Sequence, residues 1–162
     1  MASTQNALAS EWVRAGGYVI STDRARLDVV LIHGVLAASY WSAGIPIDVV
    51  RRAIAGSLAF GVYAAGGGQV GFARIVTDRA TFAYLADVFV VEAERGRGLS
   101  KWLMSVIVAH PDLQGLRRWL LGTRDAHGLY AQFGFAPLRA PERFMERHDP
   151  EVYVRLTGAS GG

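Results

Sequence analysis

The stretch richest in chemistry is Arg95-Gly96-Arg97-Gly98-Leu99-Ser100-Lys101, which follows an apolar run over 82–91 and opens a helical pattern over 99–109. The first turn of a helix carries four backbone N–H groups with no internal partner. Together with the helix dipole they form an anion site. Gly96 and Gly98 let the backbone approach a phosphate without an intervening Cβ, and Arg95, Arg97 and Lys101 bring positive charge to the same place. A pyrophosphate suits this geometry. A plain strand-to-helix turn with solvated basic residues has the same local pattern, and a lone Gly-x-Gly does not separate the two. Spacing does remove two other phosphate motifs. A P-loop ends in Gly-Lys-Ser/Thr, whereas this turn ends Gly98-Leu99-Ser100-Lys101. A dinucleotide fingerprint needs a third glycine and usually lies on the first strand.

Other side chains that could do chemistry are dispersed. Asp87 is a carboxylate inside an apolar run, a costly position without a partner. It reads equally as a general base or as a structural aspartate bonded to a nearby backbone group or arginine. By strand alternation it shares a face with Leu85 and Phe89. Glu92 fits a solvated turn better than a base. Tyr130 shares a helix face with Ala126 and Phe133, and taken alone it is a core aromatic. Tyr40 and Trp41 lie in an inter-helix loop, where they would either bind an apolar or cationic ligand or anchor the loop to the core. His33 reads as a packing or surface residue, His110 as a helix-end residue favoured by the dipole, His127 as a helix-start residue and His148 as part of a polar tail. No pair has metal-ligand spacing, so no metal is expected.

These residues need elements to position them. Residues 1–16 read as a flexible leader, 17–156 as one domain and 157–162 as a Gly/Ser-rich tail. A first strand covers 18–21. A helix over about 24–38 follows, with Asp23 as N-cap, and a second opens at Pro46 and runs to about 55. Strands at 58–64 and 69–77 flank the turn Gly66-Gly67-Gly68. The run at 82–91 suits a central strand. A helix over 99–109 ends before Pro111, and 119–121 is a short strand. A helix over 126–133 meets Gly134 as an αL cap. Phe135 and 144–147 complete the chain as two short strands. The order β-α-α-β-β-β-α-β-α-β-β predicts an α/β fold with a mixed sheet.

Composition narrows the function. The chain has 162 residues, 51% hydrophobic and 19% charged, with no cysteine. That is a globular composition, and it excludes disulfides, thiolate metal sites and a cysteine nucleophile. No apolar run reaches the roughly 18 residues of a membrane span, and the start does not read as a secretory signal. A cytoplasmic protein is expected. The net charge of +3 is spread along the chain, which does not favour nucleic-acid binding.

Arg95-Gly96-Arg97-Gly98-Leu99-Ser100 resembles the pyrophosphate signature of the GNAT (Gcn5-related) N-acetyltransferases, Arg/Gln-x-x-Gly-x-Gly/Ala, with Ser100 in place of the last small residue. The second hallmark of that family, a strand and then a helix ending Leu-Tyr-x-x-x-Gly-Phe, is similar to the stretch at 119–135. Ala126, Leu129, Tyr130, Gly134 and Phe135 match it, and Thr123 stands where many members have an asparagine. The likeness spans about 18–147. It implies a mostly antiparallel sheet of six to seven strands with about four helices, splayed between the strands at 82–91 and 119–121. It implies acetyl-CoA as co-substrate, with the backbone of Phe89, Val90 and Val91 and the side chain of Thr123 on the pantetheine arm. Residues Arg95, Gly96, Arg97, Gly98, Leu99, Ser100 and Lys101 would hold the pyrophosphate. A primary amine of a small molecule or peptide would attack the thioester directly. A backbone N–H near Phe89 or Val90 would stabilise the oxyanion, Tyr130 would act as general acid toward the thiolate, and Asp87 would be the candidate base. Tyr40, Trp41 and Phe144 would border the acceptor. Relatives commonly form homodimers. The competing readings are a CoA-binding regulatory module without turnover and a toxin acting on aminoacyl-tRNA.

Overall fold

The computed structural model describes residues 9–158. They fall into two compact units that interleave along the chain, one comprising residues up to Asp28 with Gly56–Leu121, the other Val29–Ala55 with Gly122 onward.

The first unit holds a six-stranded sheet whose spatial order is its chain order: β1 (Glu11–Arg14), β2 (Tyr18–Ser21), β3 (Leu58–Tyr63), β4 (Gln69–Thr77), β5 (Phe82–Val90) and β6 (Arg118–Leu120). The first five are antiparallel in succession, and β6 is parallel to β5. Glu11–Arg14, expected within a leader, is therefore a strand, paired residue for residue with Tyr18–Ser21. The rest of that leader, residues 1–8, lies outside the described residues. The β3–β4 hairpin turns where the three glycines predict it, with Ala64 N–H donating to the Gly68 carbonyl at 2.9 Å.

Strand β5 governs the site. Its parallel ladder with β6 covers only Phe82↔Arg118, Ala83↔Trp119 and Tyr84↔Leu120. Beyond Tyr84 it runs to Val90 paired with β4 alone, which is the divergence the family resemblance implies. After β5 and one 3-10 turn (Glu92–Glu94), helix α3 spans Leu99–Ala109. Leu99, Leu103, Met104, Val106 and Ile107 are buried and form one stripe along it. With Ile20, Phe60, Phe72, Ile75 and Leu85 from the strands they make the core of this unit.

The second unit contains α1 (Val29–Ala38), α2 (Ile47–Ala55), α4 (His127–Ala131) and α5 (Val152–Gly158). Ile32, Leu36, Ile45, Val50 and Ile54 are its buried apolar side chains among the described residues. The helix expected from residue 24 begins later. Asp23 does accept from the Ala25 N–H at 2.9 Å, but it caps a single 3-10 turn, Arg24–Arg26, before α1 starts at Val29. The two final strands expected at Phe135 and 144–147 are absent among the described residues. A 3-10 turn at Pro141–Arg143 and helix α5 are the regular elements there, so Thr157 and Gly158 lie in a helix and only 159–162 of the expected tail lie outside the described residues. No helix among the described residues is long and apolar enough to cross a membrane.

Candidate active site

The glycine turn adopts the backbone that an anion cradle requires. Gly96 and Gly98 have φ of 78° and 74°, a left-handed conformation that costs an L-residue roughly 1–2 kcal/mol. Gly98 is the N-cap of α3 and supplies no side-chain cap. A Cβ built on Gly96 meets nothing within 4 Å, whereas one built on Gly98 meets the Arg14 guanidinium at 3.6 Å. An eleven-residue helix whose first amides carry no side-chain cap, with the Arg14 guanidinium beside its N-cap, fits a diphosphate.

Basic residues surround this turn, in different roles. Arg95 Nε donates to the Val90 carbonyl at 3.1 Å and ties the turn to the end of β5. Arg97 pairs with Glu94 at 3.3 Å, which offsets part of its charge, and Glu94 also accepts from the Tyr18 hydroxyl at 2.5 Å. Lys101 is exposed and Ser100 half-buried. The residue that sequence reasoning missed is Arg14 of β1. Its guanidinium donates to the Arg97 carbonyl, lies 3.6 Å from where a Gly98 Cβ would be, and packs over the Trp102 ring at 5.7 Å. No signal in the sequence marks it, because β1 has only four residues and Arg14 is placed by the pairing of β1 with β2.

On β5 the register shifts between Phe72 and Arg74 of β4. Phe72 pairs with Phe89 and Arg74 with Ala86, so Ala73 alone faces both Asp87 and Val88. This β-bulge corrects the expected alternation. Leu85 is opposite Ile75 and Phe89 opposite Phe72, three positions apart on β4, so Leu85 and Phe89 lie on opposite faces. Phe89 and Val90 are buried and Val91 half-buried, with the Val91 N–H donating to the Val70 carbonyl at 2.8 Å. Asp87 has the partner its burial demands: its carboxylate accepts from Arg74 Nε at 2.5 Å, with 9% of its side chain exposed.

In the second unit, the Tyr130 signature proves to be a helix-ending device. Gly134, with φ of 87°, donates its N–H to Ala131, and Phe135 donates its N–H to Tyr130. That is the Schellman pattern, in which the residue after the glycine also packs on the residue at the start of the last turn. The rings of Tyr130 and Phe135 meet edge-on at 6.1 Å. The phenol is half-buried, and burial, then the neighbouring Tyr40 and Asp125, push its pKa above the ordinary tyrosine value. Thr123 Oγ1 accepts from the Ala126 N–H at 3.1 Å, leaving its O–H free to donate elsewhere.

Tyr40 and Trp41 lie in a loop fastened by polar contacts. The loop is held by Ser39 and Ser42, whose hydroxyls donate to the Leu36 carbonyl at 2.7 and 2.9 Å, and by His33 Nε2 on the Ile45 carbonyl at 2.9 Å. The two aromatics meet edge-on at 5.1 Å and stay about half exposed (48% and 45%). The Arg124 guanidinium stacks over the Tyr40 ring at 3.9 Å, and the Tyr40 hydroxyl accepts from the Arg124 N–H at 3.0 Å. Phe144 follows the 3-10 turn and is 36% exposed.

Among the histidines, His110 departs most from expectation. It is buried against Phe60 and Trp12, and its Nδ1 accepts from the Asp112 N–H at 3.2 Å. Burial lowers its pKa, so it is a neutral cap rather than a cation at a helix end. His127 and His148 are exposed. Among the described residues no three His, Asp or Glu side chains group as a metal site.

Comparison with known proteins agrees with this geometry. Residues 56–137, which contain both the glycine turn and the Tyr130 signature, match the model of the acetyltransferase (GNAT) domain. A Gibberella zeae protein provisionally named an acetyltransferase, FG08082, is 33% identical over 143 residues, covering 75% of this chain and 79% of its own. A crystal structure from Xanthomonas campestris pv. campestris, provisionally assigned as a GNAT-family acetyltransferase, is 53% identical. It superposes with a TM-score of 0.81 over 84% of this chain and 96% of its own. A Clostridium acetobutylicum protein solved with acetyl-CoA shares the fold at 12% identity, with a TM-score of 0.58 over 81% of this chain and 94% of its own. From the glycine turn, the diverging strand, the capped tyrosine helix and these likenesses together, the chain belongs to the GNAT family of acetyltransferases.

Proposed function

We propose that the protein moves the acetyl group of acetyl-CoA to a primary amine by direct attack, with Tyr130 as general acid. The observation that carries this reading is the pair of left-handed glycines, Gly96 and Gly98, opening α3 with the Arg14 guanidinium beside its N-cap. The amides of Leu99, Ser100 and Lys101 hold the pyrophosphate, and Arg14 and Arg95 keep the turn in shape through the Arg97 and Val90 carbonyls. Acetyl-CoA supplies the activated thioester. The backbone from Phe89 to Val91, at the end of β5, binds the pantetheine arm, and an N–H at Phe89 or Val90 stabilises the developing oxyanion. Thr123 donates its remaining hydrogen bond to the arm. Tyr130 meets the leaving thiolate with its O–H. Because burial raises the phenol pKa, that proton is present throughout the range in which an amine is partly deprotonated.

Tyr40, Trp41 and Phe144 form the acceptor wall, with Arg124 held flat on Tyr40. A guanidinium stacked on an aromatic keeps its edge donors pre-oriented for an acceptor's anionic group. The test is acetyl-CoA mixed with a panel of primary amines, following free thiol. Thiol release dependent on one amine class supports the reading. Saturable binding with no thiol release across the panel would favour a non-catalytic CoA-binding role.

A further inference from the structure

Two non-glycine residues among those described have left-handed φ. Arg79, at 60°, sits in the β4–β5 turn, where such a backbone is ordinary. Asp87, at 57°, sits inside a strand, where it is strained and must be held by its surroundings. Asp87 is also a residue of the bulge. Without the extra residue the β4–β5 ladder would slide into continuous register, and every β5 side chain and amide past that point would turn to the other face.

Polar neighbours hold Asp87. Arg74 Nε binds the Asp87 carboxylate at 2.5 Å, and Arg74 Nη1 donates to Ser57 Oγ at 3.2 Å. Ser57 is itself buried, at 4% exposure, and its carbonyl accepts from Arg24 Nη2 at 2.7 Å. A chain of polar bonds thus runs from the turn after β2, through the entry to β3 and across β4, into the bulge of β5. Removing either partner of such an enclosed pair leaves a charge without compensation. The carboxylate therefore fixes the backbone through its guanidinium.

We infer that Arg74 and Asp87 are positioning residues whose ion pair holds the β5 bulge and thereby aims the Val90 amide, which alternates with the β4-bonded Val91 amide and so faces the edge away from β4, at the acyl oxygen. This rests on the acetyl-CoA reading above. It differs from a general-base role for Asp87 in one decisive way: a base contributes nothing to thioester binding, whereas a correctly aimed amide hydrogen-bonds the acetyl carbonyl.

The experiment is calorimetric titration of the full-length protein with acetyl-CoA and with CoA in parallel. Wild type is compared with Arg74→Met, Arg74→Lys, Asp87→Asn and Asp87→Gly, each checked for folding by circular dichroism. Loss of one aimed hydrogen bond corresponds to about a three- to tenfold loss of affinity. Arg74→Met, Asp87→Asn and Asp87→Gly should show that loss for acetyl-CoA, with CoA affinity changed by less than about twofold. Asp87→Gly accepts the left-handed backbone without strain, so its loss isolates the ion pair, and Arg74→Lys should recover part of the preference. Equal losses for both ligands, or none in folded variants, would overturn the inference. A wild type that binds neither ligand would instead defeat the acetyl-CoA reading itself, and this inference with it.

Discussion

Replacing Tyr130 by phenylalanine removes one hydroxyl and leaves its packing in place. The ring that meets Phe135 edge-on at 6.1 Å is retained, as are the Tyr130 backbone carbonyl and the Gly134 turn that close the helix. Stability should change by less than about 1 kcal/mol, since no core volume is lost. The effect on rate follows from what the hydroxyl touches. A hydrogen bond to a charged partner is worth about 1.5–3 kcal/mol, which is roughly a ten- to 150-fold loss in kcat. The bond strengthens only as the C–S bond breaks, so KM for acetyl-CoA should stay within about twofold. The pH dependence adds a second check. The phenol pKa is raised by burial first and by Tyr40 and Asp125 next, so the hydroxyl keeps its proton up to and beyond the ordinary tyrosine value of about 10. The loss in Tyr130→Phe should therefore be nearly constant between about pH 7 and 9.5. The assay is steady-state thiol release from acetyl-CoA with the most active amine of the panel. A kcat within twofold of wild type across that range would refute the role given to Tyr130, as would a parallel loss of acetyl-CoA affinity.

Three further outcomes follow from individual contacts. His110 is buried and neutral with a lowered pKa, so the unfolded chain takes up a proton near pH 6.5 that the folded chain resists. The urea midpoint should thus fall between about pH 7.5 and 5.5 in the wild type, and much less in His110→Asn, where the amide oxygen can still accept from Asp112. Asp78 accepts from the N–H groups of Ala80, Thr81 and Phe82 and from the Thr81 hydroxyl, which holds its carboxyl well below the usual range. Its stabilisation is full above the ordinary carboxylate pKa and is lost as pH falls toward the folded value, so Asp78→Asn should flatten the acid limb of the stability curve. Arg124→Ala should raise KM for an acceptor bearing a carboxylate or phosphate by about tenfold, with KM for acetyl-CoA unchanged. Equal KM for charged and uncharged acceptors in the wild type would contradict that role.

The legible parts of the sequence were those set by short-range chemistry. The glycine turn, α3 from Leu99 to Ala109 and the αL cap at Gly134 each depend on residues adjacent in the chain, and each lies where its residue types require. The family likeness rests on the same stretches. The bulge was not legible, because a period of two carries no mark of an inserted residue. The partner that explains it, Arg74, is 13 positions from Asp87 and on another strand. Strand β1 was hidden for the same reason: Glu11–Arg14 is too short to show a pattern, and it is a strand because it pairs with β2. The final strands were over-read from single aromatics. Phe135 is spent on closing α4 against Tyr130, and Phe144 follows a proline-opened 3-10 turn. His110 looked like a cation at a helix end, and only its burial beside Phe60 and Trp12 makes it neutral.

The proposed acetyl-CoA site depends on the amides at the start of α3 binding a diphosphate, and a matched pair of variants tests this most directly. Gly98 and Gly115 have nearly equal left-handed φ, 74° and 72°, so Gly98→Val and Gly115→Val carry the same backbone penalty at different places. In titration calorimetry with acetyl-CoA, wild type and Gly115→Val should bind one equivalent with similar affinity, and Gly98→Val should show no saturable heat. Equal binding by all three proteins, or no binding by the wild type, would contradict it.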